Sequence, residues 1–85
     1  MHDTILLNKI SQALNECCKT KNFYKINRLV VNVNERSHLN AGNLHEYLKN
    51  YNEGIVDDDT DIEVRIEDLP DQIAILRNIE GEIAE

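Results

Sequence analysis

The chain has little that would break a fold or cross a membrane. One proline and three glycines in 85 residues are too few for a disordered linker. No apolar run approaches the ~20 residues that a membrane span needs. The start has neither a basic n-region nor a long apolar h-region, so no signal peptide is expected. Positive charge is scarce: nine Lys and Arg stand against sixteen Asp and Glu, a net charge of −7. An acidic chain without a basic stripe repels phosphate backbones, which argues against nucleic acid and anionic membrane as partners. The two cysteines, Cys17 and Cys18, are adjacent. Neighbours rarely bridge, and two cysteines make no disulfide framework. A cytoplasmic, reducing setting is expected. There is no Gly-rich phosphate loop, no CxxC pair and no sign of a Ser–His–Asp arrangement, so no enzyme is expected.

What is present predicts one small domain over residues 1–85. A chain this short buries roughly 60% of the surface that its unfolded form exposes. Leu6, Ile10, Ala13, Leu14 and Cys17 recur at helical spacing and predict a first helix. Asp3 or Thr4 can cap its start, and it should fade near Lys21–Asn22. "KINRLVVNVN", residues 25–34, predicts a strand in which Leu29, Val31 and Val33 alternate with Val30 and Asn32. Asn34 tolerates the left-handed region and is expected to turn the chain there. Asn40 is the expected N-cap of a second helix, with Leu44, Tyr47, Leu48 and Tyr51 as its apolar stripe and Gly54 as its terminator.

The acidic run "DDDTD", Asp57 to Asp61, invites a calcium reading. Ile62 and Asp68 stand where an EF-hand needs Gly and Glu, so a solvated turn is expected instead. "DIEVRIE" predicts a strand with Ile62, Val64 and Ile66 inward and Glu63, Arg65 and Glu67 outward. The final segment, residues 73–83, is open to two readings. Ile73, Ile75, Ile79 and Ile83 share strand parity, broken by Arg77 and Gly81; Ile73, Leu76, Glu80 and Ile83 also fit a helix. Four isoleucines and an interior glycine favour a strand, bulged at its end. "DLPD" before it is a tight connection. The order α-β-α-β-β predicts a two-layer α+β fold, a three-stranded sheet packed by two helices.

Three histidines are candidates for chemistry. His45 falls on the polar side of the second helix, and His38 lies in the loop before it. His2 stands directly behind Met1, which should be retained because His2 is bulky for the enzyme that trims initiator methionine. The Met1 amine, the His2 amide nitrogen and the His2 ring nitrogen can close fused chelate rings on one metal, with the Asp3 amide next along the backbone. Amide nitrogens ligate only when deprotonated, which Ni(II) or Cu(II) can achieve in tetragonal geometry. The amine titrates near pH ~8, so protons compete with the metal at neutral pH.

Read together, "MHD", the amphipathic helix, "INRLVVNVN", Ser37, Leu39, Leu44, "EG" at 53–54, "DIEVRIE" and the closing "ILRNIEGEI" resemble the HypA family. HypA is the nickel metallochaperone of nickel–iron hydrogenase maturation and typically begins "MHE". The resemblance covers nearly the whole chain. It implies an α+β nickel-binding domain with Ni(II) held at the His2 ring and at backbone nitrogens of Met1, His2 and Asp3. It also implies a HypB-like GTPase and a hydrogenase large subunit, or urease in some organisms, as partners. The chain departs from the family in three places. HypA carries a zinc domain of paired CxxC motifs between its last two strands, where this chain has only "DLPD". A structural zinc site needs about four ligands, so no zinc is expected. Asn34 and Asp59 replace usual glycines. The expected function is a nickel-binding accessory protein that lacks the zinc domain. The alternative is a protein-interaction or regulatory module that keeps the fold without the metal.

Overall fold

The computed structural model describes residues 4–84. They form helix α1 (Thr4–Lys21), strand β1 (Phe23–Asn34), helix α2 (Ala41–Tyr51), strand β2 (Asp61–Glu67) and strand β3 (Ala74–Ile83). The expected order and the two-layer α+β class both hold. The last segment is a strand, and Ile73 lies just outside it.

The strand order is β2-β1-β3, with β1 parallel to β2 and antiparallel to β3. Parallel neighbours need a crossover, and α2 provides it. A single residue, Asn22, joins α1 to β1 with φ 59, a left-handed turn that Asn tolerates. The helices contact each other and share one face of the sheet. Between the layers, Leu6, Ile10 and Leu14 of α1 meet Leu44 and Leu48 of α2 over Ile26, Leu29, Val31 and Val33 of β1. All nine are essentially inaccessible to water. Each such side chain contributes about 1.5–3 kcal/mol by leaving water.

Several expectations need correction. The buried face of α1 is Leu6, Leu7, Ile10, Ser11, Leu14 and Cys18; Ala13 is exposed and Cys17 is half-buried. A four-residue step from Leu14 reaches Cys18, so the stripe is rotated from the expected one by about one residue. Asn34 does not adopt a positive φ. It turns the chain through its side chain, whose Oδ1 accepts from Arg36 N–H at 2.7 Å while its carbonyl accepts from Ser37 N–H at 3.1 Å. Tyr51 and Ile66 are 67% and 60% exposed. Ile66 keeps its predicted face, but it lies near the end of an outer strand, where the helical layer leaves it uncovered. The break in β3 falls in the middle: Ala74 and Leu76 pair with Val33 and Val31, Arg77 is looped out, and Ile79 pairs with Leu29. Ile75 therefore pairs with Asn32 on the face away from the helices. The connection over residues 68–73 joins the two outer strands across the end of β1, and Asn34 Nδ2 donates to the Leu69 carbonyl to tie it there.

Candidate metal centre

Because α1 and β1 run antiparallel across one residue, the first turn of α1 lies toward the C-terminal end of β1. The helix spans about 27 Å at ~1.5 Å per residue. Loop 35–40, the start of α2 and connection 68–73 gather at the same end. Lys9 Nζ donates to the Gln72 carbonyl at 3.2 Å and fastens α1 to that connection. A cleft of about 250 Å³ opens there, lined by Asn34, Arg36, Ser37, Asp71 and Gln72. Its lining is polar, and Ser37 Oγ is occupied in accepting from Leu39 N–H at 3.2 Å.

The predicted ligands Met1, His2 and Asp3 lie outside the described residues. In the sequence they precede Thr4, the first described residue of α1. The other candidates are dispersed. His38 is exposed with φ 57 in loop 35–40. His45 is half-buried, and its Nε2 donates to the Asp57 carbonyl at 2.7 Å. That role fixes which ring nitrogen bears the proton and occupies it. Cys18 is buried in the core; burial, then the neighbouring Cys17, pushes its thiol up, away from the thiolate that binds metals. Among the described residues, no group of three or more His, Cys, Asp and Glu is placed to hold a metal ion.

The acidic loop folds around cations of the protein itself. Asp57 bonds Lys25 at 3.2 Å, accepts from Asp59 N–H at 2.9 Å and meets the Thr60 hydroxyl. Burial pulls the Asp57 carboxyl up, but the Asp59 N–H and Lys25 together hold it below its usual range. Lys49 does the same for Asp58. Thr60 Oγ1 closes the loop by donating to the Ile26 carbonyl at 2.8 Å.

The sheet face away from the helices holds a feature that sequence reasoning missed. Arg28, half-buried, bonds Asp61 and Glu63 from β2, the latter at 2.9 Å, and approaches Glu80 of β3 at 4.0 Å. Arg65 bonds Glu63, and Arg77 bonds Glu67 at 3.1 Å. Arg65 and then Arg28 hold Glu63 below the usual carboxylate range; Asn32 and then Arg77 do so for Glu67. The partners of Arg28 in β2 lie 33 and 35 residues away in the chain, beyond the reach of local periodicity. The alternating charges of "DIEVRIE" were the available signal. Buried Val30 and Asn32 sit beneath these side chains, and among the described residues Asn32 Oδ1 has no hydrogen-bond partner.

No helix among the described residues is long and apolar enough to cross a membrane. Compared with protein-family models, curated proteins and solved structures, the chain matches none.

Proposed function

We propose that this chain is a nickel-binding accessory protein of the HypA kind, without the zinc domain. It holds Ni(II) at its amino terminus and passes it by ligand exchange to nickel–iron hydrogenase or another nickel enzyme, with a HypB-like GTPase as partner, in the cytoplasm. No bond-making catalysis is involved. The observation that carries the reading is the succession Met1-His2-Asp3 in the sequence. A terminal amine, an amide nitrogen and an imidazole in succession form a nitrogen set suited to tetragonal nickel. The element order and the short 68–73 connection between β2 and β3 agree with a HypA-like core from which the zinc insertion has gone.

The reading requires a free amine at Met1, and calorimetric nickel titration tests this. The native terminus should bind Ni(II) more tightly at pH 8 than at pH 6.5, because protons compete for the amine and the imidazole. His2→Ala should weaken binding by about tenfold or more, at least the loss that mutating a mere outer-shell partner of a metal ligand brings. One residue added before Met1 should do the same. Affinity unchanged in both variants would sink the site.

A second reading is favoured by the charged open sheet face and the net charge of −7. It is an interaction or regulatory module without metal. A native chain that fails to bind nickel but co-purifies with a maturation complex would establish it in place of the first.

A further inference from the structure

The two outer strands of the sheet differ in one respect. The β1–β3 pairing shifts register between Phe23 and Lys25, between Ile26 and Arg28, and between Val30 and Val31. Two breaks leave an extra residue on β1, Tyr24 and Asn27, and the third leaves Arg77 extra on β3, where a bulge twists the outer strand and discourages further pairing along its edge. The β1–β2 pairing runs unbroken from Arg28↔Asp61 to Asn34↔Glu67. Among the described residues no strand lies along the outer edge of β2. That edge presents a regular row of backbone groups, flanked by exposed Ile66 and half-buried Val64.

We propose that the outer edge of β2 pairs antiparallel with the same edge of a second copy of this chain, about a two-fold axis through Val64. The argument is charge and shape complementarity along the seven residues Asp61–Glu67. In that register Val64 meets its own copy. Glu63 stands opposite Arg65 and Arg65 opposite Glu63. Ile62 stands opposite Ile66 on the helix side, so the exposed Ile66 gains an apolar neighbour. Residues directly opposite on antiparallel strands share a face and interact. Neighbouring registers are worse. A two-fold axis through Glu63 brings two carboxylates together, and one through Arg65 brings two guanidinium groups together. The charges thus select one alignment.

The ends of the proposed pairing place Asp61 opposite Glu67, a like-charge contact. Each already has a cation within its own chain, Asp61 the Arg28 that it shares with Glu63, and Glu67 the Arg77 guanidinium. Arg65 is the cation best placed to reach across: its side chain is 58% exposed, and its present partner is the adjacent Glu63. The strand is only about 23 Å long at ~3.3 Å per residue. The dimer is therefore weak, dissociating with a constant of about 1 μM to 1 mM.

Sedimentation equilibrium of the full chain across that range should show a monomer–dimer exchange. Arg65→Glu places Glu opposite Glu at both symmetric positions and should raise the dissociation constant about tenfold or more. A second measurement is independent of that variant's folding. In a Cys17→Ser background, Val64→Cys should cross-link between copies under mild oxidation, because facing Cα atoms on antiparallel strands fall within disulfide range. Ile66→Cys, at a more exposed position, should cross-link less, because it faces Ile62. A chain that stays monomeric to ~1 mM would overturn the proposal. So would a dimer unaffected by Arg65→Glu with an unchanged circular dichroism spectrum, or Ile66→Cys linking faster than Val64→Cys.

Discussion

Asn52 does more at the scale of a single residue than its place after a helix suggests. It is 3% exposed. Its Oδ1 accepts from Ser11 Oγ at 2.7 Å, its Nδ2 donates to Asn15 Oδ1 at 2.8 Å, and its N–H donates to the Leu48 carbonyl at 2.7 Å. Its own carbonyl accepts from Ile55 and Val56 N–H, both at 3.0 Å. The backbone of Asn52 thus closes α2, and its side chain ties α2 to α1. Asn52→Ala leaves the buried Ser11 hydroxyl without its acceptor and should lower unfolding free energy in urea by about 1–3 kcal/mol. Ser11→Ala should cost less, because the Asn15 and backbone bonds remain. Equal stability of Asn52→Ala and the native chain would refute this role. Asn52 was not legible in the sequence, where it lies 37 and 41 residues from its partners in α1. Asn40 was legible, because a cap acts within a few residues: its Oδ1 accepts from Asn43 N–H at 2.8 Å.

At the scale of elements, β3 explains why a strand can look like a helix in sequence. Ile75 and Ile79 share parity, yet the looped-out Arg77 puts them on opposite faces. A bulge shifts the two-residue period by one, and no local composition marks where. Uninterrupted elements were readable: β2 has its predicted bounds and alternation, though Ile66 at its end is left uncovered, and α2 begins immediately after its expected cap. Gly81 is the second irregular point. It pairs with Ile26 beside the break at Asn27. A Cβ there would lie 2.3 Å from the Lys25 carbonyl oxygen and 3.0 Å from Phe23 Cδ1. Backbone must therefore move, and Gly81→Ala should destabilise the fold by about 1–3 kcal/mol in chemical denaturation. At Gly54 the space is open and the constraint is φ 87 instead. If Gly81→Ala were neutral, the tight crossing of β1 and β3 would be wrong.

For the whole molecule, charge sets the response to acid. Asp57, Asp58, Glu63 and Glu67 are all held below the usual carboxylate range by the contacts described above. A carboxylate lowered in the folded state stabilises the fold above its unfolded value, near pH ~4, and that contribution is lost as pH falls through the folded value. The urea midpoint should therefore hold between pH 7 and about 5 and fall below about 4, with the fall reduced by salt because these groups are exposed. The net charge of −7 works the other way, since acid relieves repulsion. A midpoint that rises from pH 7 to 3 would mean that repulsion outweighs the paired contacts. The α+β class was legible in the sequence because it follows from the sum of periodic segments. The metal ligands proposed at Met1, His2 and Asp3 rest on the chemistry of an amine and an imidazole in succession, and they lie outside the described residues. The position of β1 has a wider consequence. It is flanked on both edges, its helix-side residues form the core, and its other face carries Arg28 in the charged layer with Val30 and Asn32 beneath it. Through most of β1, a substitution disturbs a neighbour whichever way the side chain points. Drift should therefore be more confined there than in the strands beside it, each of which, among the described residues, keeps one open edge. In divergent copies of this chain, "RLVVNVN" is the stretch in which a common ancestor should stay recognisable longest.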